Sequence, residues 1–407
     1  MPEASNPPLG GTRVILRASG VAAAYAGRLL ATMGAETILL EPPEGTALRR
    51  EPPFLEGSFD EGGEPISALF AYLCAGMRSF VCDLESASGH AAATGFLSEA
   101  DIFIDDTPPD ERPALGLDEA GIARLHPDLV HVSVLPFGAT GPKSNWKAVE
   151  INLQHASGEG NLLPNGLSIE LFPDRPPVKI YGNFAELQGG IAAALGALSA
   201  LWVRDEAGGQ YVDISSQDAA LAVGAFAIQR YGDGSLEHRA GRSFRYGGVL
   251  ACADGYVELL TLEQRQWTSL VTLLGNPEWA QDPALADSVE RSRQGPAINA
   301  QIRAWAKIRR VADIVAEGQA AGVPLAKYTT PLEVLRDPHE QVRGLFAPVE
   351  IGGAKLDMLV APFQFGGVPL PLTAGPPQLG EFGRRQSAET QTGTQTGTQT
   401  GTQTVEA

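Results

Sequence analysis

Cysteine, histidine at ligand spacing, excess positive charge and long uninterrupted apolar runs are all scarce in this 407-residue chain. Three cysteines (Cys74, Cys82, Cys252) are too few and too scattered for a disulfide framework or a thiolate metal site. The six histidines never fall at metal-ligand spacing, so no metal is expected. Lys plus Arg number 30 against 48 for Asp plus Glu, a net charge of −18. That balance excludes a nucleic-acid partner, which needs clustered cations, but leaves room for an anionic small ligand in a local positive pocket. No apolar run reaches the roughly 18 residues of a membrane span without small or polar interruption. Residues 189–203 come closest, and Ala and Gly dominate them. The opening "MPEASNPPLGGTRVIL" has no basic region leading into an apolar one, so a cytoplasmic protein is expected.

The common catalytic signatures are missing as well. "GATGPKS" resembles a phosphate loop only in composition, no G-x-G-x-x-G follows the first strand, and no G-x-S-x-G elbow exists. Common kinases, dehydrogenases and serine hydrolases are therefore disfavoured. An α/β enzyme of this composition has to work with carboxylates, amides and backbone groups.

What is there is alternation. "TRVIL", "AAAYAGRLLATMGA" and "ETILLE" read as strand, helix and strand, with Gly34 closing the helix. "SFVCDL", "ESASGHAAATGFLSEA" and "DIFID" repeat the unit, and "DLVHVSVLPF" adds a further strand after "LDEAGIARLHP". "GGQYVDISSQDAALAVGAFAIQR" supplies another strand and a helix. Strands alternating with helices predict a parallel sheet flanked by helices. Near residue 230 the texture changes to a loop rich in Gly, Arg and aromatics. A hairpin turning at Asp254-Gly255 and helices from Gln264 to about 320 follow. The expected organisation is a large domain over 1–224, a small one over 225–325, a return over 326–384, and a Thr/Gln/Gly tail over 385–407 expected to be disordered.

One carboxylate stands out. Glu186 is read as lying just ahead of the small-residue helix in "GNFAELQGGIAAALGALSAL". It is either a structural charge favoured by the helix dipole or a nucleophile.

Six stretches, in order along residues 11–380, resemble the family III CoA-transferases, which include formyl-CoA and carnitine CoA-transferases. They are "YAGRLLATMGAETILLEPPEG", "FAYLCAGMRSFVCDLES", "GLDEAGIARLHPDLVHVSVLPFGATGP", "GGIAAALGALSALWVRDEAGGQYVDIS", "CADGYVEL" and "AGVPLAKYTTPLEVL". The resemblance implies a Rossmann-like large α/β domain formed by both chain ends, a smaller inserted α+β domain, and a dimer of interlinked rings. It implies acyl-CoA and a carboxylate acceptor as substrates, with no permanently bound cofactor. The family aspartate that attacks the donor falls four residues before Gly190, so Glu186 takes its place.

Other site expectations follow from the same resemblance. Lys147 and Gln154 match CoA-binding positions, and Arg28, Arg49, Arg50 and Arg78 are candidate phosphate partners. Gly158 and Gly160 belong to a loop near the acyl pocket, and Tyr246, Gly247 and Gly248 to a glycine-bearing flap, with Arg239, Arg242 and Arg245 nearby. His155 reads as structural, and Glu263 as a weaker acidic candidate.

The chain also departs from the family. Glu is one methylene longer than Asp, a displacement of about 1 Å that can change rates on the order of a hundredfold. The family's Asn-Arg-Gly-Lys-Arg is reduced to Cys74-Ala75-Gly76-Met77-Arg78, and its Glu-Asn-Phe-x-Pro-Gly becomes Asp105-Asp106-Thr107-Pro108-Pro109-Asp110. Val149 stands where the racemase branch has its histidine, which argues against racemisation by that pair. A CoA-transferase is the first functional expectation. The second is a non-catalytic partner subunit of a heteromeric transferase, and the third a CoA-thioester isomerase or lyase.

Overall fold

The computed structural model describes residues 7–163, 174–224, 246–372 and 374–383. The repetitive tail, Arg239, Arg242 and Arg245 lie outside them. The chain forms two compact units. One joins Met1–Ser157, Ile180–Gly224 and Pro338–Ala407; the other joins Gly158–Lys179 and Ala225–Asp337.

In the first unit six short strands form one parallel sheet. They are β1 (Arg13–Arg17), β2 (Glu36–Glu41), β3 (Arg78–Val81), β4 (Ile102–Asp105), β5 (Val130–Leu135) and β6 (Tyr211–Ser215). Their spatial order is β3-β2-β1-β4-β5-β6, with Val14 opposite both Thr37 and Ile102. This is the doubly wound, Rossmann-like order that the alternating pattern and the resemblance led us to expect. A parallel sheet covered on both faces needs strands that are apolar throughout. β4 and β5 are buried at every residue, His131 included.

One face is covered by α1 (Val21–Thr32) and α4 (Phe184–Ala207), the other by α2 (Ala87–Ser98). Between β5 and β6 the chain also forms the short α3 (Glu150–Ala156), and after β6 it forms α5 (Ser216–Val223). By length and composition α4 could cross a membrane. Its small-residue face is instead the central packing surface of this unit, with Ala193, Ala197 and Ala200 buried. A Cβ on Gly190 would lie 2.7 Å from the Ala22 carbonyl oxygen of α1, and one on Gly189 2.3 Å from the Ser216 hydroxyl of α5. Only hydrogen fits at either place, which explains the adjacent glycines on the packed face of this helix.

The second unit holds a three-stranded antiparallel sheet of Gly248–Ala251, Tyr256–Leu259 and Leu325–Lys327. The first two strands are the hairpin expected around Asp254-Gly255. Helices Gln264–Leu273, Gly295–Lys307 and Val311–Ala320 pack on it around Leu250, Leu259, Trp267 and Ile302.

Candidate active site

The order of the central sheet reverses between β1 and β4, and such a point, at the carboxyl ends of the strands, is where open α/β sheets bind ligands. A cavity of about 480 Å³ opens there. The turn after β1 (Ser19, Gly20), the segment after β4 (Asp106 to Glu111), the 144–148 stretch and Glu186 all line it. Every lining residue belongs to the first unit.

The start of α4 corrects the sequence reading. The helix begins at Phe184, so Glu186 lies inside its first turn rather than ahead of it. The residue preceding the helix, Asn183, makes no capping bond with its side chain. Its amide Nδ2 instead donates to Glu186 Oε2 at 2.7 Å. The cap comes from elsewhere: Glu150, buried on α3, accepts from the Ala185 and Glu186 N–H groups, one on each carboxylate oxygen, at 3.1 Å. A remote carboxylate thus does the work an N-cap side chain normally does. Glu186 is left half-buried with its side chain on the cavity.

Lys147 stands exposed on the same cavity and is the one cation among the described residues that line it. The arginines are engaged elsewhere. Arg28 is buried, and its guanidinium donates to the carbonyls of Ala75 and Leu359; burial lowers its pKa. Arg49 makes a two-pronged ion pair with buried Glu41 and also reaches the Pro377 carbonyl. Arg50 donates to Glu44 and Gly45 carbonyls, and Arg78 pairs with Glu36 while lying over the Phe382 ring. None of the four lines the cavity.

Gln154 is buried on α3. Its Oε1 accepts from Ile180 N at 2.9 Å, and its Nε2 has no partner among the described residues. Gly158 (φ 88°) and Gly160 shape a single tight turn. In the second unit, Tyr246, Gly247 and Gly248 are firmly placed. The Tyr246 hydroxyl receives a bond from buried Arg291, Gly247 N donates to buried Asn299 at 2.6 Å, and Gly248 opens a strand. His155 is exposed. Glu263 pairs with Arg265 and borders the helix that starts at Gln264.

Sequence reasoning undervalued two acids. Glu150 was not among the expected site residues, and Asp106 entered only as part of the altered Asp105–Asp110 segment. Asp106 Oδ2 accepts from Ser19 N and Gly20 N, both at 2.7 Å, at the start of α1. Burial pushes its pKa up to about 6, and neighbouring Asp105 adds to the rise, against those two bonds and Arg17. Asp105 goes the other way. Burial opposes its ionisation, but the bond from His131, the charge of Arg112 and a bond from Thr107 prevail and lower its pKa. The signal for Asp106 was an acidic pair, Asp105-Asp106, closing the apolar strand "IFID" at its carboxyl end.

Comparison with known proteins identifies the architecture. The profile of CoA-transferase family III matches residues 9–382. A probable CoA-transferase of Mycobacterium tuberculosis is 32% identical over 332 residues, 80% of this chain and 40% of that longer protein. A succinate–glutarate CoA-transferase of Agrobacterium fabrum is 30% identical, over 84% of this chain and 86% of its own length. The crystal structure of a CaiB/BaiF family protein from Brucella suis superposes with a TM-score of 0.81 at 29% identity, covering 95% of this chain and all of that one. With the family's profile spanning almost all the described residues, this chain belongs to CoA-transferase family III.

Proposed function

We propose that the chain transfers CoA from an acyl-CoA donor, such as succinyl-CoA, to a carboxylic acid, with Glu186 as the nucleophile. The observation that carries this reading is the division of labour at the start of α4. Glu150 already accepts from the Ala185 and Glu186 N–H groups, so Glu186 is not needed as a hydrogen-bonding cap, and its side chain faces the cavity. The positive end of a 24-residue helix lies beside it, which favours negative charge there.

In this reading the Glu186 carboxylate attacks the thioester carbonyl and the CoA thiolate leaves, giving a mixed anhydride. The thiolate then attacks the glutamyl carbonyl and expels the donor carboxylate, leaving a glutamyl-CoA thioester. The acceptor carboxylate attacks that thioester and releases the thiolate again. Return of the thiolate to the acceptor's acyl carbon frees Glu186 and completes the exchange. Energy passes from one thioester to another, so no nucleotide hydrolysis is needed. Lys147 at the cavity edge is assigned to the anionic part of CoA. The Agrobacterium relative is named for succinate and glutarate, so short dicarboxylates are the first acceptors to try.

The second reading is a partner subunit whose companion chain carries the catalytic carboxylate. It draws on the single cation among the described residues lining the cavity and on the glutamate's extra methylene. Intact-protein mass spectrometry after brief incubation with acyl-CoAs separates the two. A CoA-sized mass gain in the native chain, lost in Glu186→Gln, is the outcome expected of a transferase. Absence of any gain in a chain that still binds CoA favours the partner subunit.

A further inference from the structure

Asp106 takes no part in the covalent steps above, yet it follows β4 at the reversal of strand order and lines the cavity. The N-terminus of the 12-residue helix α1 meets it there, and such an end ordinarily attracts a phosphate or carboxylate. Here the chain supplies its own anion: the Ser19 and Gly20 N–H groups are both taken by Asp106 Oδ2. The other oxygen, Oδ1, is closed to solvent and has no hydrogen-bond partner among the described residues, although the residue as a whole is partly exposed. One oxygen is doubly satisfied and the other not at all, a poor setting for a full negative charge.

The surrounding charges make it poorer. Asp105 precedes it, bound to His131 and close to Arg112, and Asp110, Glu111 and Glu186 share the cavity. Against them stand Arg17, which reaches the neighbouring Thr107 hydroxyl, and Lys147. An acyl-CoA, itself carrying several negative charges, therefore enters a cavity that the described residues line with four carboxyl groups and one ammonium. Of the four, Asp106 is the one with an oxygen that is both shut away from water and without a hydrogen-bond partner among the described residues.

On the acyl-CoA reading of the site, we propose that Asp106 is a proton-linked binding group, which takes up a proton as the anionic ligand binds. Burial has already pushed the free carboxyl up to about 6, so it is largely ionised at neutral pH and largely protonated well below that. A bound anion raises it further. Between the free and bound values each complex gains a proton, and affinity falls as pH rises, by about tenfold per pH unit.

Titration calorimetry with acetyl-CoA, in two buffers of different ionisation enthalpy, reads affinity and proton uptake together. Between about pH 6 and about pH 7.5 the wild-type Kd is expected to rise by about tenfold or more, with uptake of about one proton. In Asp106→Asn, whose Oδ1 can still accept from Ser19 and Gly20, most of that slope and uptake should vanish. The terminal phosphate of CoA titrates in the same range in both proteins, so their difference is the reading. Asp110→Asn, altered in the same cavity, should keep the wild-type slope. Acetyl-dephospho-CoA has no monoester phosphate and gives the wild-type uptake directly, should Asp106→Asn fail to fold.

Equal slopes in wild type and Asp106→Asn, loss of the slope in Asp110→Asn, or no uptake with acetyl-dephospho-CoA overturns the role of Asp106. Failure of every form to bind acetyl-CoA at any pH overturns the acyl-CoA reading, and the role of Asp106 with it.

Discussion

Two carboxylates share the first turn of α4 in different ways. Glu150 is buried and spends both oxygens on the Ala185 and Glu186 N–H groups; Glu186 accepts from Asn183 and faces the cavity. The division can be tested on Glu150 alone. In Glu150→Gln the amide nitrogen replaces one accepting oxygen and meets a backbone N–H, donor against donor. Loss of one charge-assisted bond and exclusion of the other donor should destabilise the fold by about 1–3 kcal/mol. Urea unfolding measures that. The CoA-adduct rate on folded protein should fall too, since Glu186 loses the backbone anchor beside it. A variant of native stability with an unchanged adduct rate would remove Glu150 from the account. Glu186 stood out in the sequence as a candidate nucleophile, but the role of Glu150 as its backbone anchor was not legible there. The two glutamates are 36 positions apart, and Asn183, the residue that local capping rules favour, bonds elsewhere. The same limit applies to Arg28: the charge that brought it forward as a phosphate partner carries no information that its guanidinium ends among the Ala75 and Leu359 carbonyls.

At the scale of elements the pattern was far more readable. Alternating apolar strands and helices led to a parallel sheet because residues 11–215 carry the period of each element locally, and burial of β4 and β5 on both faces requires it. The hairpin at Asp254-Gly255 was visible for the same local reason. The start of α4 was not, being fixed by a remote acid. Its small residues were visible as composition, and the structure shows what they are for. Gly190→Ala would place a methyl 2.7 Å from the Ala22 carbonyl oxygen, a backbone atom that cannot step aside. Overpacking of about 1–3 kcal/mol outweighs the roughly 1 kcal/mol by which Ala favours a helix over Gly. Net destabilisation by urea unfolding is therefore expected. Gly196→Ala on the same helix is the contrast. Its added methyl meets only the Val212 and Ile214 side chains, at 3.0 Å and 3.4 Å, and these can shift. That variant should be near neutral, and equal effects at both positions would show that packing against α1 does not set the composition of α4.

For the whole molecule, a net charge of −18 keeps copies apart at long range. Yet α4 shows water an apolar stripe: Ile191, Leu195 and Trp202 are spaced by four and seven residues, and Trp202 is 89% exposed. Aligned large side chains of this kind would be covered in an association between chains. An interlinked dimer of the kind the family resemblance implies would give the stripe a partner, and burying these side chains would contribute about 1.5–3 kcal/mol for each one fully covered. Charge acts against that association and apolar area acts for it, so the balance depends on salt. Sedimentation of the purified chain is expected to show a dimer that tightens as salt screens the acidic surface. Leu195→Arg combined with Trp202→Arg should yield monomers at every salt concentration, because the stripe then holds two unpaired cations. A wild-type chain that is monomeric alone, but pairs with a second family III chain through the same two positions, would instead make this protein half of a heteromer. The test of Glu186 would then have to be repeated on the assembled pair.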